Sequence, residues 1–319
     1  MLKKVLFNII KASLALGLLG WLVQSGKLNW NLLTEMQRYP MRLLMVFCLC
    51  FLNLLLVTWR WRYLLSARAR QNIPLAGLGM VNWIGLFFGS VLPGSITGDF
   101  VKIFYVKKSD ASLSTPFLLF STFLDRVMGL TGLILLMGGF SVFNYSTLSA
   151  LSPKLIPMLH FNFFLLVSIT TGLIVFFLAP QVIEKLLSIM KVVVPNNKWP
   201  VRLQDLWKDL IGAKKQMGLA ILISILIQFL GVVNFHLLVS PQYETALSLE
   251  LVLSFIPLGF MALAIPIAPG GLGVGHAAFQ TLFGFAGEMN GANFFNMYFV
   301  VTMAFNILGF IPWLISKRR

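Results

Sequence analysis

Charged side chains inside apolar runs are costly, and this chain places several where anion chemistry could use them. Asp99 follows Gly98, and Lys102 lies one helical turn beyond it. A helix starting near Asp99 would present free N–H groups and a positive dipole end, with Lys102 on the same side. That combination suits a phosphate. It is also how an ordinary boundary reads, with Asp99 as N-cap and Lys102 reaching for the interface. Asp125 and Arg126 stand together inside an apolar run. Adjacent helical residues diverge by roughly 100°, so they address different groups. Asp125 could pair with a cation such as Lys102. Arg126 has the planar fork that matches phosphate oxygens. A charge network holding helices together is the other reading of both. His276 could bind an anion, move a proton or bond a freed carbonyl. Asn82 could line the same space or bond a neighbouring helix.

These residues need elements that interrupt membrane helices. One lies at residues 76–100, AGLGMVNWIGLFFGSVLPGSITGDF, and the other at residues 253–279, LSFIPLGFMALAIPIAPGGLGVGHAAF. In lipid, a broken helix frees backbone groups that something must satisfy, so breaks tend to line sites. Paired breaks in corresponding halves point to a transport site. In the first, Pro93 and Gly94 stop the helix and Gly98 permits close approach. In the second, Pro266 and Pro269 exclude a regular helix, while Gly270, Gly271 and Gly273 allow tight turning. The glycine run lacks the Lys-Ser/Thr ending of a phosphate-binding P-loop.

The remaining chain reads as an all-α polytopic membrane protein. Of its 319 residues, 58% are hydrophobic and 11% charged, whereas soluble domains are about a quarter charged. Six apolar spans are expected at about 5–24, 42–65, 114–140, 158–180, 217–239 and 293–315. Adding the two broken segments as re-entrant hairpins, or as pairs of short spans, gives about eight helical membrane segments. The net charge of +15 sits at span ends, which reports topology and anionic headgroups rather than nucleic acid. Lys27, Arg38, Arg42 and Lys154 fall on the assigned outer side, and most other basic residues on the inner side. Both termini are therefore expected in the cytoplasm, with the chain in the cytoplasmic (inner) membrane. By parity the hairpins enter from opposite faces, which allows an inverted pseudo-symmetry. Residues 1–319 form a single membrane domain containing a cytoplasmic connecting region at 181–216. Within that region Leu203, Leu206, Leu210 and Ile211 mark one side of an interfacial helix. Cys48 and Cys50 read as small membrane-buried side chains, and no metal or cofactor motif is expected.

The ordered motifs resemble the lysylphosphatidylglycerol synthase transmembrane family, which is flippase-like. They are a WRW-containing second helix, LPGSITGDFVK at 92–102, the Asp125–Arg126 pair and APGGLGVGHAAF at 268–279. Two departures stand out. Lys102 stands where the family typically has arginine, and His276 where many members have glutamate. The resemblance implies handling of an aminoacylated phospholipid, a polyprenyl-phosphate carrier or another anionic lipid. Larger members add a soluble aminoacyl-transferring domain, and this chain is expected to act as the membrane module alone. A flippase or transporter is the leading expectation. A membrane enzyme acting on a lipid-linked substrate, or an accessory partner of envelope-lipid synthesis, is the alternative.

Overall fold

A computed structural model describes residues 38–66, 73–91, 97–193, 205, 207, 210–212, 214–245, 247–264 and 271–315. In chain order the helices are α1 (Pro40–Leu65), α2 (Leu75–Val91), α3 (Thr97–Ser109), α4 (Thr115–Phe143), α5 (Tyr145–Leu151) and α6 (Ile156–Leu178). They continue as α7 (Pro180–Val193), α8 (Lys214–Val239), α9 (Ile256–Leu263), α10 (Val274–Phe285), α11 (Gly291–Ile307) and α12 (Phe310–Ile315).

Five helical stretches are long and apolar enough to cross a bilayer: Pro40–Leu65, Thr115–Phe143, Pro153–Leu178, Lys214–Gln242 and Gly291–Ile315. Each coincides with an expected span. The span expected at 5–24 lies outside the described residues. The chain is thus an all-α, multi-pass membrane protein.

Local chemistry explains the helix ends. Pro40 occupies the first turn of α1, where its missing N–H costs nothing. The Ser114 side chain accepts from the Phe117 N–H at 3.4 Å and starts α4. The last span is interrupted at Leu308–Gly309, between α11 and α12. A Cβ on Gly309 would lie 2.2 Å from the Trp83 carbonyl oxygen, so this break presses against the backbone of α2.

Helices α1, α4 and α8 pack together as the centre of the fold. Lipid tails are as apolar as leucine, so small residues and polar bonds must hold membrane helices together. Gly132 meets Ser224 so closely that a Cβ would lie 2.6 Å from the Ser224 backbone carbon. Asn162 donates to Ser141 Oγ at 2.8 Å and to the Ser254 carbonyl at 2.9 Å, tying α6 and α4 to the segment before α9. A ring cluster of Phe235, Phe255, Phe279, Phe283, Phe294 and Phe295 fills the second half.

The two broken segments are built differently. Helices α2 and α3 are two packed arms joined through residues 92–96. The second segment follows a single turn, Leu249–Val252, and becomes helical at α9, where Pro257 stands in the first turn. Helices α9 and α10 then pack as its two arms. Pro93, Gly94, Pro266, Pro269 and Gly270 lie outside the described residues. In the connecting region, Trp207, Leu210 and Ile211 pack near Leu64 and Phe176. Leu203 and Leu206 are outside the described residues.

Near the end of the ring cluster, Glu288 is fully buried. Its carboxylate accepts from the Glu244 N–H at 3.1 Å and from the Thr245 N–H and hydroxyl, both at 2.6 Å. Burial, with Glu288 as a second cause, pushes the Tyr243 hydroxyl far above its ordinary range. Glu288→Ala would strand two part-buried backbone donors and is expected to cost about 1–3 kcal/mol. Thermal unfolding in detergent would read this. Glu288→Gln, which keeps an acceptor, should lose less.

Candidate functional site

A cavity of about 480 Å3 lies between the two broken segments. Its wall is shared by α1, α2, α3, α4, α8 and α11, together with Leu263 and Gly271 beside the second break. Both ends of the second break therefore touch the space that Gly98 and Asp99 border from the first. Gly271 has φ 71° and Gly273 has φ 83°, the left-handed region that glycine enters without a Cβ penalty. These two positions turn the backbone between α9 and α10.

At one end of the cavity the charges gather. Lys102 Nζ lies 2.9 Å from Asp99 Oδ1. Arg126 approaches Asp99 Oδ2 through Nε at 2.7 Å and a terminal guanidinium nitrogen at 2.6 Å. One carboxylate thus bridges two cations, leaving one net positive charge among these three groups. The Lys102 ammonium also stands 5.1 Å from the centroid of the Trp61 ring, close enough for a cation–π attraction. Trp61 is held in turn by Ser121, whose hydroxyl accepts its indole N–H at 3.3 Å.

A glycine seam puts Lys102 there. A Cβ on Gly85 would fall 2.6 Å from Lys102 Cγ, and a Cβ on Gly98 would fall 2.3 Å from the Gly85 carbonyl oxygen. Helices α2 and α3 are therefore in backbone contact, and the lysine stem crosses the bare surface of Gly85. Asp99 lies in the first turn of α3, where a carboxylate suits the dipole. Asn82, buried on α2, lines the cavity and donates to Thr58 Oγ1 at 3.0 Å. Both of its alternative roles are therefore present together.

Arg126 is 45% exposed by side chain. It shares a face of α4 with the exposed residues Leu119, Phe123 and Leu130, which recur at helical spacing. On α3, the neighbours of Asp99 and Lys102 include exposed Phe100 and Phe104. The charged end of the cavity thus reaches a surface otherwise suited to hydrocarbon.

Asp125 is placed elsewhere. Its carboxylate takes Arg60 Nε at 2.7 Å and a second guanidinium nitrogen at 3.0 Å. Arg60 also donates to Ser224 Oγ at 2.8 Å. The expected pairing with Lys102 is corrected, because the buried Arg60 satisfies both oxygens first. Asp125 does not line the cavity. Sequence reasoning missed this role of Arg60, which stands among several basic residues near the end of α1. The signal for its role was a buried acid that required a cation at matching depth.

His276 also stands back from the cavity wall. Its Nδ1 accepts the Gly273 N–H at 3.3 Å, capping the first turn of α10. Its ring meets Phe295, a cavity residue, edge to face with centroids 4.8 Å apart. Gly271 is on the wall and Gly273 is not among the wall residues. Sequence reasoning missed Asn53, Tyr298, Thr302 and Asn306, which also line the cavity. Only α11 brings the last three there, and they interrupt a long apolar run without any charge to flag them.

A multi-pass helical protein with a cavity, charged at one end, between two broken segments defines the class. Within it, residues 8–309 match the model of the lysylphosphatidylglycerol synthase TM region. The chain belongs to that family. No curated protein and no solved structure matches it.

Proposed function

We propose that the chain moves an anionic lipid, or a lipid-linked headgroup, across the cytoplasmic membrane with both termini inside. The observation that carries this reading is Arg126. It lines the cavity beside Asp99 and Lys102 and yet stands among the exposed apolar residues of α4. An amphiphile fits that geometry, with its headgroup beside Lys102 and Arg126 and its tails outside. A soluble anion would have no use for the apolar surround. The family supports the same chemistry, and among its implied classes are aminoacyl-phospholipids and polyprenyl phosphates.

In this reading the breaks are inverted elements that enter from opposite faces and meet near the midplane. Residues holding the headgroup are Lys102 and Arg126, with Asp99 as their resident counter-ion and Asn82 and Gly271 on the wall. Gly98 sets the spacing. Asp125, Gly273 and His276 support this arrangement from behind rather than touching the lipid.

Reconstitution into vesicles tests the reading. Arg126→Ala should slow movement of a labelled anionic lipid by about tenfold or more, since charge-assisted bonds are the strong ones. Unfolding temperature should change little. Wild-type rates in that variant would remove Arg126 from the path. Chemical conversion of the lipid by the purified chain would instead identify an enzyme, and activity only with a second protein would identify an accessory subunit.

A further inference from the structure

Helix α7 leaves an apolar row uncovered at the edge of the membrane. One residue separates it from α6, so it begins where a membrane span ends. Its 14 residues are too few to cross a bilayer, because a helix rises about 1.5 Å per residue and the hydrocarbon core is roughly 30 Å thick. Two of its sides are apolar. Ile183 and Leu187 pack against the buried cluster of Phe176, Trp207 and Met217. Val182, Leu186 and Ile189 are 51%, 56% and 49% exposed. At i, i+4 and i+7 these three form one row, and at roughly 100° per residue it lies beside the packed row. Gln181, Glu184 and Ser188 are exposed on the remaining side. Lys185, also exposed, falls at the edge of the apolar row.

The depth of this end is marked by Lys214, at the start of α8. Its ammonium donates to the Phe177 carbonyl near the end of α6 and stands 5.9 Å from the centroid of the Phe177 ring. Lysine heads settle at the headgroup layer, so α6 leaves the hydrocarbon here. Above that level α6 exposes Phe164, Val167, Ile174 and Leu178, a lipid-facing row that runs down to α7. The segment expected to lie on the membrane instead packs Trp207, Leu210 and Ile211 against the bundle.

We propose that α7 is the helix that lies in the plane of the membrane surface, docked on anionic phospholipid. Val182, Leu186 and Ile189 enter the acyl chains, and Lys185 meets the lipid phosphates. Lipid is the occupant because the uncovered row continues the lipid-facing side of a span. The charge is complementary as well. Residues 181–216 hold seven Lys or Arg against three Asp or Glu, the sign that attracts anionic headgroups. This placement does not depend on what the cavity carries.

Photocrosslinking of the full chain in vesicles of equimolar phosphatidylglycerol and phosphatidylcholine tests it. The photoreactive residue p-benzoylphenylalanine is placed singly at Val182, Leu186, Gln181 and Ser188, and at Phe164 as a reference within the span. Intact mass reads the adducts. Val182 and Leu186 should each capture phospholipid at about the level of Phe164, and about fivefold more than Gln181 or Ser188. Two positions on the row guard against a local folding defect at either. At Leu186, phosphatidylglycerol should be captured about threefold over phosphatidylcholine, and Lys185→Gln should return that ratio to its value at Phe164. Equal capture of the two lipids at Leu186 would overturn the preference for an anionic surface. Lipid adducts missing from both Val182 and Leu186, or equal at all four α7 positions, would overturn the in-plane placement. Chain-to-chain adducts in their stead would assign the row to a second copy.

Discussion

Arg60→Ala is expected to destabilise the protein by about 3–5 kcal/mol, the usual penalty for stranding one partner of a buried ion pair. The arginine is 5% exposed and the Asp125 side chain 9%. Both carboxylate oxygens are taken by Arg60, and its third nitrogen reaches Ser224. Removing the guanidinium leaves a carboxylate buried among α1, α4 and α8 with its strongest donors gone. The unfolding temperature in detergent should fall steeply, and expression with it. A double substitution, Arg60→Leu with Asp125→Leu, removes both charges and should recover most of the loss. If the double variant is as unstable as Arg60→Ala, the packing of the arginine stem rather than the ion pair is what matters.

On the proposed transport role, Gly98→Val is expected to abolish most lipid movement while leaving the fold assembled. Its first added carbon would sit 2.3 Å from the Gly85 carbonyl and 3.3 Å from Gly89 Cα. Those obstacles are backbone, so α3 itself must move away from α2. Asp99 and Lys102 ride on α3, and a displacement of about 1 Å is enough to spoil a positioned site. A loss of translocation of about a hundredfold follows, with a smaller fall in unfolding temperature. Gly139→Ala is the matched control, because nothing lies within 4 Å of a Cβ there. Equal effects from the two substitutions would mean that helix propensity, not the α2–α3 contact, governs the result.

The fold was legible in the sequence wherever composition alone decides it. The apolar runs giving α1, α4, α6, α8 and the α11–α12 span stand at their expected places. At the second break glycine marked the turn, at Gly271 and Gly273, while Pro93, Gly94, Pro266 and Pro269 lie outside the described residues. What could not be read was pairing. Asp99, Lys102, Asp125 and Arg126 are identifiable as costly charges, but which one meets which depends on how α1, α3 and α4 turn toward one another. Arg60 is 65 positions from Asp125, and no local period connects them. Some uncharged wall residues of the cavity escaped for a related reason. Asn53, Thr302 and Asn306 are each ordinary in an apolar helix, and only their convergence gives them meaning. His276 had both chemical and structural roles open to it from the sequence, and the structure shows a structural bond, its ring nitrogen receiving a backbone N–H.

The Asp99 bridge has a mechanical side. Bonds deep among α1, α4 and α8 hold those helices as a frame: Arg60 joins all three, and Gln228 donates to the Gly129 carbonyl at 3.0 Å. Arm α3 is tied to that frame by a contact of another kind, the partly exposed bond between Asp99 and Arg126. An anion that draws Arg126 toward itself must loosen that bond. Loading would then act as a key in a latch, freeing the arm to shift at the moment the cavity is filled.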